Sequence, residues 1–187
     1  MMKTKSFLLT TITILLLMME LQAQAASKKI LVVYFSHSGN TREIANQIHK
    51  NVGGDVFEIQ PVKPYPTDYN TVVNQAKQEL NTPAYKPALK AKVNNIKQYD
   101  IIFVGYPNWW GTYPAPVKTF LSEYDLSGKT IVPFCTHEGS RLGRSVSDLK
   151  LLCPKSTILE GLVVRGSDVK KAQNDVAQWL RKLKLIK

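Results

Sequence analysis

Residues 28–45 read KKILVVYFSHSGNTREIA, and this stretch decides the fold. Ile30 to Phe35 is apolar at every position, so neither face of the segment is suited to water. A strand apolar on both faces belongs in the middle of a parallel sheet, with helices packed on each side. Ser36-His37-Ser38-Gly39-Asn40-Thr41 ends the run with small hydrogen-bonding residues. Ile44, Ala45 and Ile48 then recur at helical spacing until Gly53-Gly54 stops the pattern.

The same alternation repeats along the chain. A second strand is expected over 55–60, a Pro- and Tyr-rich loop over 61–68, a moderately amphipathic helix over 69–80 and an irregular stretch over 81–92. A third buried strand, Tyr99 to Gly105, leads through Tyr106 to Tyr113 into a helix from about Ala115 to Ser122, whose Pro114 and Pro116 fall where the first turn has no donors to lose. Lys129 to Cys135 reads as a fourth strand, Arg144 to Leu152 as a helix and Thr157 to Val164 as a fifth strand. Ser167 or Asp168 is the expected cap of a closing helix with Val169, Ala172, Val176, Trp179, Leu180 and Leu183 on its apolar face. These elements predict an α/β domain of three layers, doubly wound around a five-stranded parallel sheet.

The chain has 187 residues and is 44% hydrophobic, which fits one domain and excludes a disordered tail, a collagen-like repeat or a multidomain enzyme. Cys135 and Cys153 are too few for a disulfide framework, and no Cys/His cluster has zinc-ligand spacing, so a hydrophobic core must stabilise the fold. A bridge between the two cysteines and two separate buried thiols both remain open. Lys3 and Lys5, the apolar run Phe7 to Met19 and Ala23-Gln24-Ala25 read as a signal peptide over 1–25, leaving a domain over 26–187. The apolar run is short of the ~20 residues that span a bilayer, so no membrane anchor is expected after cleavage. The protein is expected to be exported, periplasmic or secreted, in a bacterial setting. Its net charge is +11, but the lysines are dispersed, as on solvated helix faces, and nucleic acid is not an expected partner.

In open parallel sheets ligands bind beyond the carboxyl ends of the strands, and three of the loops there carry unusual chemistry. The first, Ser36 to Thr41, offers hydroxyls, a carboxamide and a glycine at a helix start, where unpaired amides favour an anion. It lacks the lysine of a triphosphate loop and the GxGxxG of a dinucleotide fold, so a phosphate monoester held by neutral donors fits, as does a simple turn and helix cap. The second places Trp109 and Trp110 beside Pro107, Asn108 and Gly111 in a turn. One indole, Trp110, can be core; at least one, with Trp109 favoured, is available to a planar ring. The third sets Gly139 and Gly143 around Ser140, which lets backbone amides approach the ring's far edge. Phosphate cradle, aromatic wall and glycine-rich edge together describe a pocket for FMN.

Three segments carry a family resemblance: KKILVVYFSHSGNTREIA, YDIIFVGYPNWWGTYPAPVKTFL and LSGKTIVPFCTHEGSRLGRS. They resemble the phosphate loop and the two isoalloxazine loops of the flavodoxin-like superfamily, in its short-chain group with a WWG motif. The resemblance spans Lys28 to the closing helix. It implies strand order 2-1-3-4-5 and non-covalent FMN. Phosphate would be held by Ser36, His37, Ser38, Gly39, Asn40 and Thr41, and the ring by Pro107, Asn108, Trp109, Trp110 and Gly111 with Thr136, His137, Glu138, Gly139 and Ser140. Relatives often have Gly-Gly-Ser-Gly where this chain has Glu138-Gly139-Ser140-Arg141, and His37 replaces a small or hydroxyl residue, its side chain expected at the surface. The implied role is redox: an electron carrier serving a partner protein, or a reductase acting on a small acceptor such as a quinone with NAD(P)H. A flavin-binding or sensing module without turnover is the alternative. No catalytic side chain and no metal are expected, and the basic surface is read as steering acidic partners towards the flavin edge.

Overall fold

The computed structural model describes residues 28–187; the expected leader, 1–25, lies outside them. Five strands form the main path of one parallel sheet: β1 (Ile30–Tyr34), β2 (Asp55–Glu58), β3 (Ile101–Pro107), β4 (Thr130–His137) and β5 (Thr157–Ile158), in the order β2-β1-β3-β4-β5, with β6 (Leu162–Arg165) also on β4. The helices are α1 (Asn40–Val52), α2 (Tyr69–Leu80), α3 (Ala115–Glu123), α4 (Ser145–Leu152) and α5 (Gln173–Lys182). The predicted α/β order is therefore present.

Alternation along each strand divides the core in two. Leu31, Val33, Ile102, Val104 and Ile131 face one side, with Val117 and Phe120 of α3 and Leu149 of α4. Val32, Tyr34, Phe103, Val132 and Phe134 face the other, with Ile44 and Ile48 of α1 and Val176 and Leu180 of α5. Double coverage explains why β1 reads as a continuous apolar run.

The fifth strand departs from the expected 157–164. Thr130 pairs with Thr157 and Phe134 with Leu162, so four steps along β4 face five along its neighbour. The extra residue makes a bulge between β5 and β6. Its cause is Pro133 in β4, which has no N–H to donate there. The closing helix also differs: a 3-10 turn, Gly166–Lys171, precedes α5. No side chain caps either element, and the Ser167 hydroxyl donates to Asp168 instead. By contrast, α2 has the expected start, with the Asp68 carboxylate accepting from the Thr71 N–H at 2.8 Å.

Candidate functional site

At the carboxyl ends of β1, β3 and β4 the chain encloses a cavity of about 550 Å3. This volume lies in the range of small-molecule sites, about 300–1,000 Å3. Twelve of the sixteen residues singled out by sequence line it: His37, Ser38, Asn40, Pro107, Asn108, Trp109, Trp110, Gly111, Thr136, His137, Glu138 and Ser140. Ser36, Gly39, Thr41 and Gly139 are not in the lining.

The first loop is shaped by Gly39, whose φ of 91° places it in the left-handed region as the residue before α1. Its N–H donates to the Ser36 hydroxyl at 3.1 Å. That satisfies an amide inside the loop and leaves the first-turn amides of Asn40, Thr41 and Arg42 without intrahelical acceptors, a neutral donor set suited to an anion. Neither Ser36 nor Ser38 caps the helix. Thr41 turns inward: it is buried and its hydroxyl pairs with that of Thr136 at 2.9 Å, joining the first loop to the end of β4. The Thr41 side chain thus braces the two loops, while its N–H stays among the first-turn donors that the sequence reading assigned to a phosphate. His37 is exposed, as expected, and its ring meets Trp109 edge-on at 5.8 Å.

The second loop is a tight hairpin. Trp109 and Thr112 exchange both backbone hydrogen bonds, and Trp110 and Gly111 between them have φ of 52° and 85°. Two successive positive φ values make a type I′ turn, which ordinarily selects Asn-Gly. A tryptophan at the first position is strained by about 1–2 kcal/mol and is driven outward. Trp110 is accordingly 46% exposed, which overturns the reading of this indole as core. Its Nε1–H donates to the Val73 carbonyl at 3.0 Å, and the Lys77 ammonium lies 5.2 Å from its ring centre. Trp109 is the fixed ring, met edge-on by Phe35 at 5.6 Å and Tyr65 at 4.9 Å. Tyr65 is held in turn by its hydroxyl, which donates to Glu79; burial, then that carboxylate, raises its pKa.

The third loop is pinned to the second. Arg144 N–H donates to Gly111 O at 2.8 Å, and a Cβ on Gly143 would lie 2.3 Å from that oxygen. Gly143 therefore serves loop-to-loop contact, where the sequence reading assigned it to ring approach. Asn108 is a second staple: its amide nitrogen donates to Arg141 O at 2.7 Å and its oxygen accepts from Gly111 N–H at 2.9 Å. His137 Nδ1 accepts from Gly139 N–H at 2.9 Å, which requires that nitrogen to be unprotonated. Partial burial, with Arg141 and Arg165 nearby, lowers its pKa although Glu138 opposes them. Glu138 itself faces Arg165 at 3.9 Å.

A fourth wall was not expected. Tyr69, Val72, Val73 and Ala76 of α2 also line the cavity, next to Trp110, which is bonded to the Val73 carbonyl. The signal was Val72 and Ala76 at i and i+4 on a helix with few other apolar residues. Cys135 and Cys153 are separate buried thiols. Among the described residues no cluster of His, Cys, Asp and Glu has metal-site geometry, and no helix is long and apolar enough to cross a membrane.

The family profile described as Flavodoxin matches residues 29–183. Among solved structures, a protein provisionally called a flavoprotein from Bacteroides eggerthii is 37% identical over 80% of this chain and 98% of its own, with a TM-score of 0.68. A second, so described from Bacteroides uniformis, is 30% identical over 83% of this chain and 99% of its own, with a TM-score of 0.74. A flavoprotein from Lactobacillus acidophilus, solved in complex with FMN, is 24% identical over 77% of this chain and 97% of its own, with a TM-score of 0.64.

Proposed function

Because the chain belongs to the flavodoxin family, we propose that its cavity holds FMN and that the protein performs redox work outside the cytoplasm. The observation that carries this reading is the convergence, on one cavity, of a neutral amide cradle at the start of α1 and two tryptophans from the hairpin after β3. An anion and a flat ring joined by a short chain is the ligand such a pair suits.

When bound, FMN supplies the electron-transfer chemistry. The chain's own residues position and shield it. The amides of Asn40, Thr41 and Arg42 would hold the phosphate without adding a cation. Trp109, immobilised by Phe35 and Tyr65, is the fixed wall for the ring, and Trp110 with Lys77 covers the opening towards α2. Glu138 and Ser140, which line the cavity, would border the edge of the bound ring, where a partner protein or small acceptor would approach. No side chain has to act as acid, base or nucleophile. Export is supported by the sequence of residues 3–25 alone.

The test is titration of the purified protein with FMN, followed by flavin fluorescence. Quenching on binding is expected, with Trp109→Ala losing both the quenching and most of the affinity. FMN that stays fluorescent and unbound refutes the reading. With FMN loaded, fast saturable oxidation of NAD(P)H in the presence of a quinone marks a reductase, and its absence a carrier.

A further inference from the structure

Trp109 borders a second cavity as well as the first. This smaller one, of about 190 Å3, is lined by Glu79, Tyr85, Thr112 and Pro114 among others, and it shares Trp109 and Ala76 with the larger. An indole that borders two cavities lacks close-packed neighbours over part of its surface, and each missing neighbour forfeits dispersion contacts. Its angle therefore depends on the rings that do touch it. Phe35, His37 and Tyr65 meet it edge-on at 5.6, 5.8 and 4.9 Å. Phe35 is buried in the core and His37 is exposed. Tyr65 is the nearest of the three and also touches the other two, at 5.7 and 6.5 Å. It belongs to the loop before α2 and to no strand or helix, so its own place has to come from its side chain.

What holds Tyr65 is a carboxylate. Its hydroxyl donates to Glu79 Oε2 at 2.5 Å, and Glu79 Oε1 accepts from the side-chain amide of Gln75, one turn earlier on α2, at 2.8 Å. The second bond fixes the carboxylate, and the first, from a hydroxyl to a carboxylate, belongs to the stronger class of hydrogen bonds. Both indoles of the hairpin are thus referred to one helix. Trp110 reaches it directly, through the Val73 carbonyl, and Trp109 indirectly, through Tyr65 and Glu79. We propose that Glu79 is a positioning residue of the site, acting through the Tyr65 hydroxyl to hold the Trp109 indole at the angle a flat ligand requires. Without that bond the phenol ring is free to turn, and the indole has the second cavity to move into.

The inference rests on the flavin reading of the larger cavity, and its test has one arm that needs no flavin. The protein is labelled with 5-fluorotryptophan, and the Trp109 fluorine signal is assigned by its absence in Trp109→Phe. One sharp Trp109 line is expected in the parent, and a broadened or split line in Tyr65→Phe and in Glu79→Leu. Glu79→Gln keeps an acceptor for the hydroxyl and should restore the parent line. In the second arm each protein is titrated with FMN. Tyr65→Phe and Glu79→Leu should lose about tenfold in affinity, the worth of one such bond, and Glu79→Gln less than about threefold. Tyr99→Phe removes the equivalent bond, to Asp55, at the opposite end of the sheet, and should leave both readouts as in the parent. A parent that does not bind FMN defeats the cofactor reading, and the fluorine signal still decides whether Glu79 holds Trp109. A parent-like Trp109 line in both Tyr65→Phe and Glu79→Leu overturns the proposal, whether or not FMN affinity falls. Equal changes in Tyr99→Phe overturn it too, since a loss of general stability then accounts for them.

Discussion

The hydroxyl pair Thr41–Thr136 makes a quantitative claim about the first loop. Both side chains are buried and their oxygens lie 2.9 Å apart. Replacing either by Val exchanges a hydroxyl for a methyl of similar size and strands the other hydroxyl away from water. A stranded buried polar group costs about 1–3 kcal/mol, whereas removing both partners is nearly neutral. Thr41→Val and Thr136→Val are therefore each expected to lower stability by about 2 kcal/mol, a shift of roughly 1 M in urea midpoint. The double variant should recover to within about 1 kcal/mol of the parent, and the double-mutant cycle isolates the coupling. The same proteins report on the cofactor. If the Thr41 hydroxyl is a brace, the double variant binds FMN within about threefold of the parent, less than 1 kcal/mol. A double variant as unstable as the sum of the singles refutes the pairing. A tenfold loss of FMN affinity in both Thr41→Val and the double returns the hydroxyl to the phosphate.

Three further expectations follow from neighbouring contacts. Gly143→Ala meets both a φ of +53° and the Gly111 oxygen, while Gly111→Ala at φ +85° meets open space. The former should destabilise by more than about 2 kcal/mol and the latter by about 1, read by urea unfolding, and equal effects contradict the loop-to-loop contact. His137 has a folded pKa below its ordinary 6.5, so its contribution is complete above pH 6.5 and is lost as the pH falls through the lower folded value. The stability difference between the parent and His137→Gln should accordingly shift against the parent on acidification, and a shift in its favour defeats the Gly139 bond. Burial pushes the Cys135 thiol up to about 12 and raises that of Cys153. Iodoacetamide should modify neither thiol quickly in the native protein and both in urea without reductant; protection in urea lifted only by a reductant shows a bridge instead.

Legibility from sequence followed the physics of burial. Ile30 to Phe35 declares its position because an all-apolar strand has no alternative in water, and the polar turn after it could only mark the sheet's carboxyl end. Pro133 sits inside an otherwise good strand, and its missing donor is felt on the neighbour, where the fifth strand breaks; a reading of each strand separately does not reach that effect. Trp109 and Trp110 were visible as a pair, but which one turns outward depends on the two positive φ values of a hairpin closed by Trp109 and Thr112. Thr41 looked like its hydroxyl-bearing neighbours until its partner, 95 residues away, was placed beside it. The α2 wall escaped notice because Val72 and Ala76 are the only buried residues of that helix, a narrower buried stripe than that of α1, which buries Thr41, Ile44, Ala45, Gln47 and Ile48.

The bulge beside Pro133 matters beyond β4. The strand it interrupts is an outer one, bonded on one side only. A long straight rim of unpaired amides is a template on which another chain can add itself. Here the rim is cut into pieces of two and four residues by Leu159 to Gly161, and the kink twists them out of line. One proline in the adjacent strand thus guards the sheet's exposed flank against self-association, and restoring a regular strand there would trade local order for a tendency to aggregate.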